Sequence, residues 1–236
     1  EDFWRKRGCL AVMGWDQPKG AATFSPYTFF WALDPAGTPH ASAYLEPCRR
    51  PGDARYGDSP NRLGRYYQYQ VFIKPAPKNI RELYGKSLEA LGFKLSEHEL
   101  RYLEDDWESP TLGASGVGWE VWLDGLEITQ FTYFQNFAGF ELKEIPVEIT
   151  YGLERIAMYV QGVDNVYELE WEHGVKYGDI FHRQSEKEFS AYTFEHYDVV
   201  SGFELFEKNF DLANSLAQKG LILPAYECVM KCSETF

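Results

Sequence analysis

The sequence lacks several things, and each absence excludes a class. No apolar run approaches the roughly 18–20 residues that a membrane-spanning helix needs. Four cysteines in 236 residues are too few for a disulfide-stapled scaffold, so a reducing compartment is expected. Only Cys228 and Cys232 lie close together, four residues apart on one helix face. Half of a metal site would look like this. Two small buried residues would too, and that reading is preferred because no second Cys or His pair follows at zinc spacing. Neither Gly-rich nucleotide loop occurs, whether Gly-x-x-x-x-Gly-Lys-Ser/Thr or Gly-x-Gly-x-x-Gly after a strand. The five histidines (His40, His98, His173, His182 and His196) are scattered, and no Ser/His/Asp or Cys/His set assembles, so they are read as structural or surface groups. There is no internal repeat and no low-complexity stretch. Positive charge is scarce: 23 Lys and Arg stand against 36 Asp and Glu, a formal net charge of −13. That balance disfavours a broad phosphate-binding surface.

What is present describes a globular α+β chain. The sequence is 44% hydrophobic and 25% charged, outside the range of disordered chains. Aromatics reach 17%, so rings must fill a core or line a pocket. Helical periodicity runs through residues 79–91, 152–161 and 199–218, and a fourth helix is expected after Pro224. Asn79 and Glu82 have capping-box spacing at the first of these. Strand alternation runs through 66–74 and places Gln68, Gln70 and Phe72 on one side. The opening Glu1-Asp2-Phe3-Trp4 has no signal-peptide pattern, and the last residues read as an unfinished helix. A longer natural chain is therefore expected. Residues 168–211 carry eleven acidic and four basic side chains. Trp107 and Glu104-Asp105-Asp106 are read as a solvated turn.

Residues 117–135 form the best strand pair. Asp124-Gly125 is a two-residue hairpin signal. A regular ladder from that turn pairs Leu123 with Leu126, Trp122 with Glu127, Val121 with Ile128 and Glu120 with Thr129. One face then carries Val121, Leu123, Leu126 and Ile128, a core face. The other carries Gly118, Glu120, Trp122, Glu127, Thr129 and Phe131. Rings mixed with acids suit the floor of a ligand pocket, and an ordinary solvated face is the plainer alternative.

Residues 49–65 break the acidic trend. Five arginines (Arg49, Arg50, Arg55, Arg62 and Arg65) face two aspartates in a Pro- and Gly-containing loop between two strands. Arginine suits bidentate capture of phosphate oxygens. A surface loop with local Arg–Asp pairs is the competing reading.

The segment Ile149-Thr-Tyr-Gly-Leu-Glu-Arg155 runs from a strand into a helix and resembles the third signature motif of class II aminoacyl-tRNA synthetases. The arginine loop resembles their second motif. With Gly118-Trp-Glu-Val-Trp-Leu123 and Thr129-Gln-Phe-Thr-Tyr-Phe-Gln135, the likeness extends over nearly the whole chain to the α-subunit family of the bacterial heterotetrameric glycyl-tRNA synthetases. The resemblance implies a class II catalytic domain over 1–198, a mostly antiparallel sheet flanked by helices, and the start of a C-terminal helical region over 199–236. It implies ATP-dependent activation of glycine and transfer to the 3′ end of tRNA(Gly). The implied partners are glycine, ATP, the tRNA acceptor end, a second α copy and a β subunit, in the cytoplasm and without a membrane.

Site roles follow from the same likeness. Arg50 or Arg49 would meet the α-phosphate, and Arg155 the adenine and γ-phosphate. Arg62, Gln70, Glu127 and Gly152 would also border ATP. Glu148 would hold the ammonium of glycine, with Thr150, Trp122, Gln68, Glu120 and Thr129 around it. Glu127 or Glu141 would help hold Mg2+, with Glu120 a further candidate. Glu154 either caps the helix or pairs with an arginine. A non-catalytic synthetase-like binding protein, or a ligase of this fold loading another carrier, would share most of these features.

Overall fold

In the computed structural model, residues 1–34, 36 and 39–235 are described. Phe236, the last residue of the expected helical segment, lies outside them. Beside a small hairpin of Glu170–Glu172 with Val175–Lys176, the strands are β1 (Leu10–Ala11), β2 (His40–Arg49), β3 (Arg65–Lys74), β4 (Leu100–Ser109), β5 (Ala114–Leu123), β6 (Leu126–Phe137), β7 (Phe140–Glu141) and β8 (Val147–Gly152), these eight making the main sheet. They form one sheet in the order β1-β2-β3-β8-β6-β5-β4, with β7 added on β6. Among the described residues only the β1–β2 pairing of this sheet is parallel, and its other pairings are antiparallel. The helices are α1 (Asp2–Arg5), α2 (Pro26–Leu33), α3 (Ile80–Glu89), α4 (Leu153–Gln161), α5 (His182–Ala191), α6 (Val199–Gln218) and α7 (Ile222–Thr235).

Strand alternation gives the sheet two different faces. One is apolar: Ala43, Val71, Val121, Phe131, Ile149 and Tyr151 pack with Ile80, Tyr84 and Leu88 of α3 and Ile156 of α4. These helices bury the 3.6-residue stripes legible in their sequences. The opposite face is polar over its centre. Tyr44 and Glu46 of β2, Gln68 and Gln70 of β3, and Glu148 and Thr150 of β8 are all buried there. At one end of this polar face, Ala32 of α2 packs on Phe72, Phe134 and Phe137. Farther out, α7 lies along α2, where Tyr226 meets the Phe29 ring at 4.5 Å and donates to the Phe24 carbonyl at 2.7 Å.

The Asp124-Gly125 turn forms as expected, with φ of 46° and 89°, the left-handed pair that matches strand twist. The ladder does not stay regular. It pairs Trp122 with Glu127 but Val121 with Thr129, because Ile128 is an extra residue in a β-bulge. From Thr129 to Phe134, where a second register shift follows, side chains of β6 sit on the face opposite to the one expected. Thr129 and Phe131 therefore join the apolar face, and Gln130 and Thr132 replace them on the polar one. Thr129 accepts a hydrogen bond from the Tyr84 hydroxyl at 2.9 Å, beneath α3.

Other expectations also need correction. Residues 104–107 are not a turn: they lie within β4, which ends the main order of the sheet. Trp107 packs on Phe134 at 5.3 Å, and the neighbouring carboxylates suit an edge that must not pair further. Asn79 makes no side-chain cap to α3, and Glu82 instead bonds Lys86. Helix α7 starts at Ile222, so Pro224 falls inside its first turn, where a missing N–H costs nothing. Cys228 and Cys232, by contrast, are both buried on α7 as expected. The α2 and α5 helices were not expected at all.

Two glycines in β5 permit a close strand approach. An added Cβ on Gly118 would lie 2.0 Å from the Phe131 carbonyl oxygen, and one on Gly116 2.3 Å from that of Tyr133. Gly118→Ala should therefore destabilise the chain by about 1–3 kcal/mol, lowering the melting temperature by roughly 4–10 °C. An unchanged melting curve would contradict this packing.

Candidate active site

The polar face is organised by sheet register. One cross-strand row runs Tyr44, Gln70, Thr150, Gln130 and Glu120. The next runs Phe72, Glu148, Thr132 and Gly118. At its centre stands Glu148, 1% exposed. One carboxylate oxygen accepts from the Thr23 hydroxyl at 2.7 Å and from Thr150 at 3.2 Å. The other accepts from the Gln70 amide. All three donors are neutral. Burial therefore outweighs them and pushes the Glu148 carboxyl up to about 7.

The supports of Glu148 are themselves held. Gln70 also donates to Thr28 and accepts from Thr150 at 2.7 Å. Gln68 accepts the Ala22 backbone N–H at 2.9 Å, which fixes the short turn carrying Thr23. The preceding loop is tied to β2 by a buried ion pair, Lys19 to Glu46 at 2.7 Å. The Lys19 ammonium also donates to the Trp15 and Gln17 carbonyls, which meets the requirement that a buried charge be fully partnered. Thr132, beside Glu148, is wholly buried, and its hydroxyl has no partner among the described residues.

A second cluster lies toward the N-terminal end of α4. Gly152 precedes the helix, and Arg155 on its first turn donates to the Glu127 carbonyl at 2.8 Å and its carboxylate at 3.2 Å. Burial raises the Glu127 pKa, Arg155 opposes the rise, and Glu120 adds to it. Glu120 accepts from the Trp122 indole at 2.9 Å. Arg50 donates to the Gly20 carbonyl at 2.8 Å and lies 5.3 Å from the centre of the Tyr66 ring. Its charge is felt at Glu127. Arg49 points the other way and meets Glu234 of α7 at 3.4 Å. The alternation of β2 thus places Arg50 on the site side.

Several expected residues are not together. Thr129 is on the apolar face, for the bulge reason given above. Glu141 pairs across from Asn136, nine residues along β6 from Glu127, or about 30 Å at strand rise. Glu127 and Glu141 therefore cannot share one metal ion; Glu120 is the carboxylate near Glu127. Gln70 belongs with Glu148 rather than with the Arg155 cluster. Gln68 acts on the Thr23 turn. Arg62 is exposed in the β2–β3 loop, and no hydrogen bond or ion pair joins its side chain to Arg50, Arg155 or Glu127 among the described residues. Glu154 makes no arginine pair. It accepts from the Tyr67 N–H and the Tyr177 hydroxyl, both at 2.9 Å, and burial pushes it up to about 7. Thr23, Thr28 and Thr132 were missed, because a threonine in a loop, helix or strand announces nothing until a carboxylate is placed beside it.

A mostly antiparallel sheet floored with polar side chains, backed by helices and rimmed by arginines, is the catalytic fold of class II aminoacyl-tRNA synthetases. Among solved structures, a pyrrolysyl-tRNA synthetase, PylSc, from Desulfitobacterium hafniense matches with a TM-score of 0.51 and 16% identity, covering 75% of this chain and 71% of that one. A second pyrrolysyl-tRNA synthetase structure from the same organism matches with a TM-score of 0.49 and 18% identity, covering 75% and 73%. At 16% identity the first likeness speaks for the fold alone, and the second carries no argument. The family is given by sequence: the model of the glycyl-tRNA synthetase alpha subunit matches residues 1–236, and the chain belongs to that family.

Proposed function

We propose that this chain activates glycine with ATP and passes it to the 3′ end of tRNA(Gly), with a separate β subunit making most of the tRNA contact. The observation that carries the reading is Glu148: a buried carboxylate surrounded by neutral donors, beside an unpartnered threonine hydroxyl. Such a group suits a small cationic ligand. The ammonium of an amino acid would supply the missing charge, and a charge-assisted pair in a dry site is strongly orienting.

The chemistry asks the protein mainly for positioning and charge neutralisation. The glycine carboxylate oxygen attacks the α-phosphorus of ATP. A bond forms between them, the bond to the β-phosphate oxygen breaks, and pyrophosphate leaves. Arg50 would neutralise charge building on the α-phosphate. Arg155, held by Glu127, would stack on adenine and meet the γ-phosphate. The tRNA hydroxyl then attacks the glycyl carbonyl, and AMP leaves. Glu127 and Glu120 fit a Mg2+ ion, which favours one or two carboxylates plus phosphate oxygens. When bound, the ion would offset phosphate charge. Trp122 beside Glu120 would fill the space that a larger amino-acid side chain needs, so selection would work by clash. The reading includes a catalytic unit over 1–198, a homodimer of α chains and a cytoplasmic setting. No helix among the described residues is long and apolar enough to cross a membrane.

Glycine-dependent exchange between ATP and pyrophosphate tests the reading, with alanine and serine as controls. Exchange with glycine alone is expected; none with or without the β subunit would refute it. Titration gives a second test. At pH 6 free Glu148 is mostly protonated, so binding an ammonium must ionise it. Glycine binding should release a proton at pH 6 and not at pH 8.5, as read by calorimetry in buffers of different ionisation enthalpy. Equal proton release at both values would count against Glu148. In the unliganded chain the same raised pKa favours folding in acid. This contribution is present below about 4.5 and lost as pH rises through about 7.

A further inference from the structure

Three side chains donate to Glu148, and one of them does not lie on a strand. Gln70 and Thr150 are placed by the β3–β8 ladder. Thr23 instead sits in a three-residue turn, Ala22–Phe24, just ahead of α2. A single helical turn is not stable by itself, so the place of Thr23 must be fixed from outside.

Both neighbours of Thr23 are pinned. On one side, the Ala22 N–H donates to Gln68 at 2.9 Å, and the Ala22 carbonyl accepts from the Tyr44 hydroxyl at 3.4 Å. These pins come from β3 and β2. On the other side, the Phe24 carbonyl accepts from the Tyr226 hydroxyl at 2.7 Å. That pin comes from α7, 202 residues later in the chain. The Tyr226 ring leaves its hydroxyl little freedom. It is 7% exposed and lies against two rings of α2, Phe29 at 4.5 Å and Phe30 at 5.3 Å. The helix that carries it is held as well. Gln17, in the loop ahead of the turn, donates to the Glu227 carbonyl at 2.6 Å. On its other side, the Cys232 thiol donates to the Phe206 carbonyl of α6 at 3.5 Å.

We propose that Tyr226 is a positioning residue of the amino-acid site: through the Phe24 carbonyl it holds Thr23 on Glu148, and so tightens glycine binding without touching glycine. The inference rests on the reading of Glu148 as the partner of the glycine ammonium. It makes a residue of the C-terminal helical segment part of that site. A buried acceptor that loses its donor is left unsatisfied, so without the hydroxyl the turn shifts and draws Thr23 away. The loosening stops at Ala22, where Gln68 and Tyr44 still hold. Gly20, whose carbonyl holds Arg50, lies beyond that point, so the ATP side is spared.

The test uses the protein as isolated, with any subunit that copurifies, and the variant Tyr226→Phe, which keeps the ring and removes only the hydroxyl. In pyrophosphate exchange its glycine KM should rise about three- to twentyfold, with the ATP KM within about twofold of the parent. In a Thr23→Val background the same substitution should change the glycine KM by less than about twofold, because the two groups act in series. A tyrosine that merely fills space would give the same effect in both backgrounds. Backbone amides of residues 20–25 should also exchange with deuterium faster in Tyr226→Phe, as read by mass spectrometry. An unchanged glycine KM, equal rises for glycine and ATP, equal rises in both Thr23 backgrounds, or unchanged deuterium uptake overturns the proposal. A parent that shows no glycine-dependent pyrophosphate exchange refutes the glycine reading instead, and deuterium uptake then decides alone whether Tyr226 holds the turn.

Discussion

Replacing Glu148 with glutamine should raise the glycine KM by about 30- to 1000-fold while changing the ATP KM by less than about threefold. The magnitude follows from removing one partner of a buried charge pair, which costs roughly 2–4 kcal/mol. The asymmetry follows from position: Glu148 sits with Thr23, Gln70 and Thr150, whereas Arg155 and Glu127 pair with each other in a separate cluster. Glutamine keeps the shape and can still accept from Thr23, so the free chain should fold. Its stability should even rise at pH 8, because the parent must ionise a buried carboxyl there. Steady-state exchange kinetics over both substrates decide the matter. Equal losses for glycine and ATP would mean that Glu148 braces the sheet rather than meeting the ammonium.

The second large effect is expected at Arg155. Arg155→Ala should lower kcat/KM for pyrophosphate exchange by about a thousandfold or more, the scale seen when a positioned cation at a phosphoryl-transfer centre is lost. The melting temperature should move little, since the pair with Glu127 is partly exposed, at 26% and 34%. Arg155→Lys should recover only part of the loss, because an ammonium cannot stack on a base as a planar guanidinium does. Normal exchange in Arg155→Ala would remove this residue from the mechanism.

The fold was legible wherever periodicity was long and uninterrupted. The stripes of α3, α4 and α6 and the alternation of β3 could be read directly, as could the Asp124-Gly125 turn. β4 was obscured because it carries three consecutive acids, Glu104-Asp105-Asp106, which resemble a loop although strand alternation sends them to both faces. α2, Pro26-Tyr-Thr-Phe-Phe-Trp-Ala-Leu33, was obscured because it is apolar on nearly every side and shows no stripe. At the site, Glu148, Arg50 and Arg155 stood out through motif resemblance. Thr129 was misplaced because a ladder extrapolated from a turn carries no sign of an extra residue three positions later. Gln70 was read by type as a substrate contact, but its partners are set by β8 and α2, which only the folded sheet brings alongside. Glu127 and Glu141 stood together as metal candidates because sequence does not show that they lie toward opposite ends of β6.

The bulge at Ile128 has a consequence for how this chain can change over time. Between that residue and the second register shift after Phe134, each side chain on β6 is assigned to interior or reaction chamber by counting. Deleting it would turn Phe131 out toward the substrates and push Gln130 and Thr132 into the packing under α3. Lineages descended from this chain should therefore tolerate substitutions near the turn far more readily than single-residue insertions or deletions between Val121 and Thr132. An alignment that opens a gap in that interval has misplaced the site.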